Sequence, residues 1–123
     1  MNKYNSEVEQ LIEKMHNHHA WFEQVSGQEA EKILQSYPLH SYLLRAGESD
    51  LHYFFSYVTE NSLVFHKSIR INPEAAGYYA NGGAGCDRNK IYQTVEPLIS
   101  EFLNCNQEDL LPLSTELTQA QGY

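Results

Sequence analysis

Arg45 is the residue best placed to do chemistry. It lies in the run Tyr42-Leu43-Leu44-Arg45-Ala46, which reads as a strand, and the small polar turn Gly47-Glu48-Ser49 follows at once. Side chains alternate along a strand, so Tyr42, Leu44 and Ala46 share one face while Leu43 and Arg45 share the other. A guanidinium in line with a core leucine is costly unless something anionic meets it. Its planar fork suits a phosphate, gripped through two parallel hydrogen bonds. The turn can aim backbone N–H groups and the Ser49 hydroxyl at the same anion. The same residues also fit a structural arginine paired with Glu48 or Asp50.

Cations are scarce elsewhere. Eight Lys and Arg face sixteen Asp and Glu, for a net charge of −8. Nucleic acid or an anionic membrane is therefore not expected as a main partner, and any anion site must be local. Arg45, Lys67 and Arg70 all fall on strand-like runs, and Arg70 has the parity of His66 and Ser68. Of His16, His18 and His19, only His16 and His19 share a helical face, with no third ligand near, so no metal is expected. The Gly82-Gly83-Ala84-Gly85 run lacks the Gly-Lys-Ser/Thr ending of a nucleotide loop, and Lys90 is too far on. Cys86 lacks an arginine at the spacing that would cradle a phosphate, since Arg88 is too close. No cofactor is expected, nor an enzyme.

Those residues need a scaffold, and the chain is long enough to supply one. Its 123 residues suit one domain with a single core. A content of 41 % hydrophobic and 12 % aromatic residues is that of a folded protein. Met1 to Ala20 is mostly polar and carries Glu7, Glu9 and Glu13, unlike a secretory signal, and no run has the length of a membrane span. Cys86 and Cys105 lack redox or metal spacing, so a reducing, cytoplasmic setting with free thiols is expected.

Ser6 with Glu9 forms a capping-box pattern, and Val8, Leu11, Ile12 and Met15 follow at helical spacing, predicting a helix over residues 6 to 18. Ser26-Gly27-Gln28-Glu29 opens a second, with Ala30, Ile33, Leu34 and Tyr37 on its apolar stripe and Pro38 ending it. Strands are predicted at about 41–46, 51–58 and 62–71, the last two joined by Thr59-Glu60-Asn61. Gly77-Tyr78-Tyr79-Ala80 suggests a further short strand. Thr94 can cap a last helix bearing Val95, Leu98, Ile99 and Phe102. Leu110 to Leu113 is a closing segment, and residues after Ser114 are polar.

This order, with particular residues, resembles a Src homology 2 domain, a module that recognises phosphorylated motifs through arginine. Trp21-Phe22 followed by Ser26-Gly27-Gln28-Glu29-Ala30-Glu31 resembles the family's opening tryptophan and first helix. Tyr42-Leu43-Leu44-Arg45 is similar to its Phe-Leu-Val-Arg signature, and Val64-Phe65-His66-Lys67 to the strand whose histidine lies beside the phosphotyrosine. Gly77-Tyr78-Tyr79 resembles the later Gly-Phe-Tyr, and Tyr92 to Phe102 the second helix. The resemblance covers about Trp21 to Leu113. It implies an α+β fold: a central three-stranded antiparallel sheet flanked by two helices, here with an extra N-terminal helix. Residues 1–20 would be a helical extension, 21–114 the domain and 115–123 a flexible tail.

The implied function is binding of a tyrosine-phosphorylated peptide or protein by a monomer. Arg45 would hold the phosphate, Gly47, Glu48 and Ser49 the rim, and His66 with Lys67 the tyrosine ring and peptide backbone. The chain departs from the family at two positions. Gln28 stands for an arginine of the first helix, and Ser68 for a lysine two residues after the histidine. Arg70, Lys67 or Lys32 could substitute. These departures also fit divergent versions found in bacterial effectors, which would place the protein in host cytoplasm. Two other readings stay open: an interaction domain of the same fold without phosphate dependence, and a small enzyme using Arg45 as an anion clamp.

Overall fold

The structure, a computed structural model, describes residues 4–81 and 89–114. The glycine run, Cys86, Arg88 and the tail 115–123 lie outside the described residues. Among the described residues three α-helices and a six-stranded sheet make an α+β fold, broader than the expected three strands. In chain order the elements are α1 (Ser6–His16), β1 (Trp21–Phe22), α2 (Gly27–Leu34), β2 (Ser41–Ala46), β3 (His52–Val58) and β4 (Val64–Asn72). β5 (Gly77–Asn81), α3 (Val95–Leu103) and β6 (Leu111–Pro112) complete it. β2, β3, β4 and β5 run antiparallel in that order. β1 and β6 both run parallel to β2, the first opposite Leu44 and Arg45 and the second opposite Ser41 and Tyr42. The Gly77 strand thus widens the sheet.

Register sorts the side chains into two layers. Tyr42, Leu44, Tyr53, Phe55, Ile69, Ile71 and Tyr78 form one cluster with Val8, Leu11 and Met15 of α1 and Val95, Leu98 and Ile99 of α3. On the other face Leu43 and Val58 join Phe22, Ala30 and Leu34 under α2. This second cluster is small and covers only one end of its face. Arg45 lies beyond it.

Element ends follow local hydrogen bonds. Asn5, rather than Ser6, caps α1, its side chain accepting from Val8 N–H at 2.9 Å. The helix stops at His16, two residues early, because Asn17 caps it and His18 turns away. In α2 both bonds of the Ser26–Glu29 capping box form. Thr94 sits at the N-cap of α3 without a side-chain bond, while the Glu96 carboxylate accepts from its own backbone N–H. β4 starts at Val64 because Ser62 adopts φ 62° in the turn closed by Thr59 N–H to Leu63 C=O. No helix among the described residues is long and apolar enough to cross a membrane.

His18 ties the α1 end to α3. Its Nδ1 accepts from Ala20 N–H at 3.0 Å, so the ring proton sits on Nε2 and is donated to Glu96 Oε2 at 2.8 Å. That bond is the main reason Glu96 lies below the usual carboxylate range; burial opposes it. A carboxylate depressed on folding stabilises the fold above its unfolded pKa, and the contribution is lost as pH falls through the folded value. Glu96→Gln should therefore melt below the wild type near pH ~7, with the gap closing below pH ~4. Thermal melts across that range check this, and a gap independent of pH contradicts it.

Candidate functional site

The α2 face of the sheet changes from apolar to polar along its strands. Cross-strand pairs bring Leu43 opposite Ser56, Ser56 opposite His66, Arg45 opposite Phe54, Phe54 opposite Ser68, and His52 opposite Arg70. Arg45, Ser56, His66, Phe54, Ser68, His52 and Arg70 therefore share this face, beside the N-terminal turn of α2.

Arg45 is 9 % exposed. Its Nε–H donates to Ser56 Oγ at 3.1 Å and its Nη2 lies 3.3 Å from His66 Nδ1. Its Cζ lies 4.6 Å from the centre of the Phe54 ring, near enough for a cation–π contact. Burial lowers the guanidinium pKa, and Glu31 pulls it back up. Among the described residues no carboxylate forms a salt bridge with it. The expected alternative pairing with Glu48 or Asp50 does not occur.

Hydrogen bonding fixes the proton order. A guanidinium only donates, so His66 Nδ1 is an acceptor and Nε2 carries the ring proton. Ser56 Oγ accepts from Arg45 and donates to Nδ1 at 2.7 Å, while Nε2–H reaches Glu31 Oε2 at 2.8 Å. One directed chain runs Arg45, Ser56, His66, Glu31. The guanidinium is thereby held in orientation by two partners and a ring face, with Nη2 against the N-terminal turn of α2.

Gly27 forms the wall there. A Cβ at this position would sit 3.3 Å from Arg45 Nη2 and 3.8 Å from His66 Cε1. Gly27, not Gln28, is the α2 residue that abuts Arg45. Gln28 is exposed and lines an outer groove between α2 and the β3–β4 hairpin, about 530 Å³ in volume. A one-residue shift on a helix turns a side chain by about 100°, enough to move it off the site.

The β2–β3 loop is anchored by its own bonds. Gly47 N–H donates to His52 C=O at 2.9 Å, so it is not free for a phosphate. A Cβ on Gly47 would come within 2.5 Å of that same oxygen, which requires glycine for close approach. Ser49 Oγ accepts from Leu51 N–H at 3.3 Å and its C=O accepts from His52 N–H. Tyr53 OH donates to Asp50 C=O. Glu48 and Ser49 are exposed, and their N–H groups have no partner among the described residues.

The remaining expected residues divide by strand parity. Lys67 is on the opposite face from His66, its Nζ 5.0 Å from the Phe102 ring centre. Ser68 is on the Arg45 face, held by His52 Nε2 at 2.9 Å. Arg70 lies one pleat further, and its buried Nε has no partner among the described residues. Burial first, then Arg70, lowers the His52 pKa, against Glu48. No group of three His, Cys, Asp or Glu among the described residues could hold a metal ion. Ser56, Phe54, His52, Gly27 and Glu31 were not legible as site residues; the only signal was the parity Ser56 shares with Phe54 in β3.

No family model matches the chain, and no curated protein matches it. Among solved structures it is similar to the solution NMR structure of the SH2 domain of a Monosiga brevicollis CRK/CRKL homolog, at 21 % identity and a TM-score of 0.44. The match covers 53 % of this chain and 61 % of that one, so the chain spans under two thirds of that domain.

Proposed function

We propose that the chain is a non-enzymatic module that binds tyrosine-phosphorylated peptides, with Arg45 gripping the phosphate. The observation that carries this reading is a guanidinium buried on a sheet face without a salt bridge to any carboxylate among the described residues, oriented by Ser56, His66 and Phe54. Burying such a charge is unfavourable unless an anion arrives to meet it. The Src homology 2 resemblance of Tyr42 to Arg45 and of His66 supports the same ligand.

A phosphotyrosine brings about −1.5 to −2 charges and three acceptor oxygens. Arg45 would take two of these oxygens, and the N–H groups of Glu48 and Ser49 lie on the loop that would close the rim. The Glu48 carboxylate would point to solvent. Ser68 and Arg70 would extend the site, with Gln28 and Lys67 outside it. The tyrosine ring carries its phosphate further from the peptide backbone than serine does, so a deep arginine selects by reach. Phe54, half-buried beside Arg45, would face the ring. The protein would act as a monomer in a cytoplasm, as an adaptor or a host-directed effector.

A same-fold interaction domain without phosphate dependence is favoured by one observation: no second cation approaches Arg45 from α2, where Gly27 stands. Calorimetric titration decides between them. A phosphotyrosine peptide should bind, while its unphosphorylated and phosphoserine twins should not. Equal binding of the unphosphorylated twin overturns the proposal.

A further inference from the structure

We infer that Glu31 is an internal competitor that sets the affinity of the Arg45 site, because an anion entering that site must displace its carboxylate. This rests on reading Arg45 as a phosphate site.

Gly27, Ala30, Glu31 and Leu34 recur at the spacing of one helix face. Ala30 and Leu34 are buried in the small cluster and Gly27 abuts Arg45, so this is the inward stripe of α2. An acidic residue on such a stripe, bonded to the histidine that touches a buried cation, is not explained by solubility. Glu31 reaches inward to His66 Nε2 at 2.8 Å, and through His66 and Ser56 it ends the chain of bonds that begins at Arg45. Its charge acts on the guanidinium too.

A phosphate on Arg45 would lie beside this carboxylate, and like charges at a half-buried site repel strongly. Glu31 must leave for a dianion to settle, and it is free to do so. Its side chain is 54 % exposed, and it borders the outer groove with Gln28 and Lys32. Rotation into that groove exchanges one hydrogen bond to His66 for solvent and the Lys32 ammonium. In the free protein Glu31 partly compensates the buried cation; in the complex the phosphate takes over that role. His66 Nε2–H, released by Glu31, becomes a donor for the incoming anion.

Glu31→Gln tests this. The amide oxygen still accepts from His66, so the fold and the ring orientation are kept while the charge is removed. Glu60→Gln, an exposed change of equal charge in the β3–β4 turn, where no bond to Arg45 or His66 is made, is the control. A phosphotyrosine peptide and inorganic phosphate are titrated against wild type and both variants at low salt. Glu31→Gln should bind both ligands about 5- to 30-fold more tightly, and Glu60→Gln within about 2-fold of wild type. In wild type, the His66 Nε2–H proton resonance should move on peptide addition, since its carboxylate partner leaves. Wild-type binding that Glu31→Gln leaves unimproved overturns the competitor role alone. Failure of wild type and both variants to bind either ligand overturns the phosphate reading, and the competitor with it.

Discussion

Arg45→Ala is expected to weaken phosphotyrosine-peptide binding by at least ~2–5 kcal/mol, the range for truncating one partner of a buried charge pair. That is roughly a 30- to 5,000-fold loss of affinity. The magnitude follows from position. Ser56 and His66 hold the guanidinium in one orientation, so little ordering remains to be done on binding. Arg45→Lys should recover only part of the loss. Lysine keeps the charge, but a single ammonium cannot bond Ser56 and grip two phosphate oxygens at once. Fluorescence anisotropy on both variants, with thermal melts to confirm folding, checks the order wild type, Lys, Ala. An alanine variant that binds within a few-fold of wild type would remove Arg45 from the mechanism.

The same geometry explains what was legible in the sequence. Alternation along residues 42 to 46 is enough to separate Arg45 from Leu44, and the structure has them on opposite faces. Parity also sets Lys67, which neighbours His66 and points to the other face of the sheet. Ser56, His52 and Glu31 were out of reach for a different reason. They are ordinary polar residues until cross-strand register sets Ser56 against His66, and register is a tertiary property that no single strand carries. Gln28 and Gly27 differ by one position at a helix start, where sequence patterns are least exact. β1 and β6, two residues each, are too short to show any period, so the parallel edge along β2 was invisible.

The second large effect concerns α1, which the sequence presents as an extension. Val8, Leu11 and Met15 are 0 %, 4 % and 1 % exposed, in the cluster that also holds Tyr42, Tyr53 and Ile99. Backbone groups join too: Tyr78 OH donates to Leu11 C=O at 2.6 Å, and Leu44 N–H donates to Ala20 C=O at 2.8 Å. Leu11→Ala and Met15→Ala should each lower unfolding free energy by ~2–5 kcal/mol. Domains of this size have ~5–15 kcal/mol in all, so a chain lacking residues 1–18 should not reach a packed state. Urea titrations of the point variants and near-ultraviolet circular dichroism of the truncation read these outcomes. A truncated chain with native-like dichroism and two-state unfolding would make α1 dispensable. Because Leu11 packs on the face away from Arg45, Leu11→Ala should keep phosphopeptide affinity within about 2-fold wherever it is still folded, since distant sites act independently. Stability and binding would then separate by sheet face, α1 and α3 holding the sheet from one side while α2 and Arg45 meet the ligand on the other.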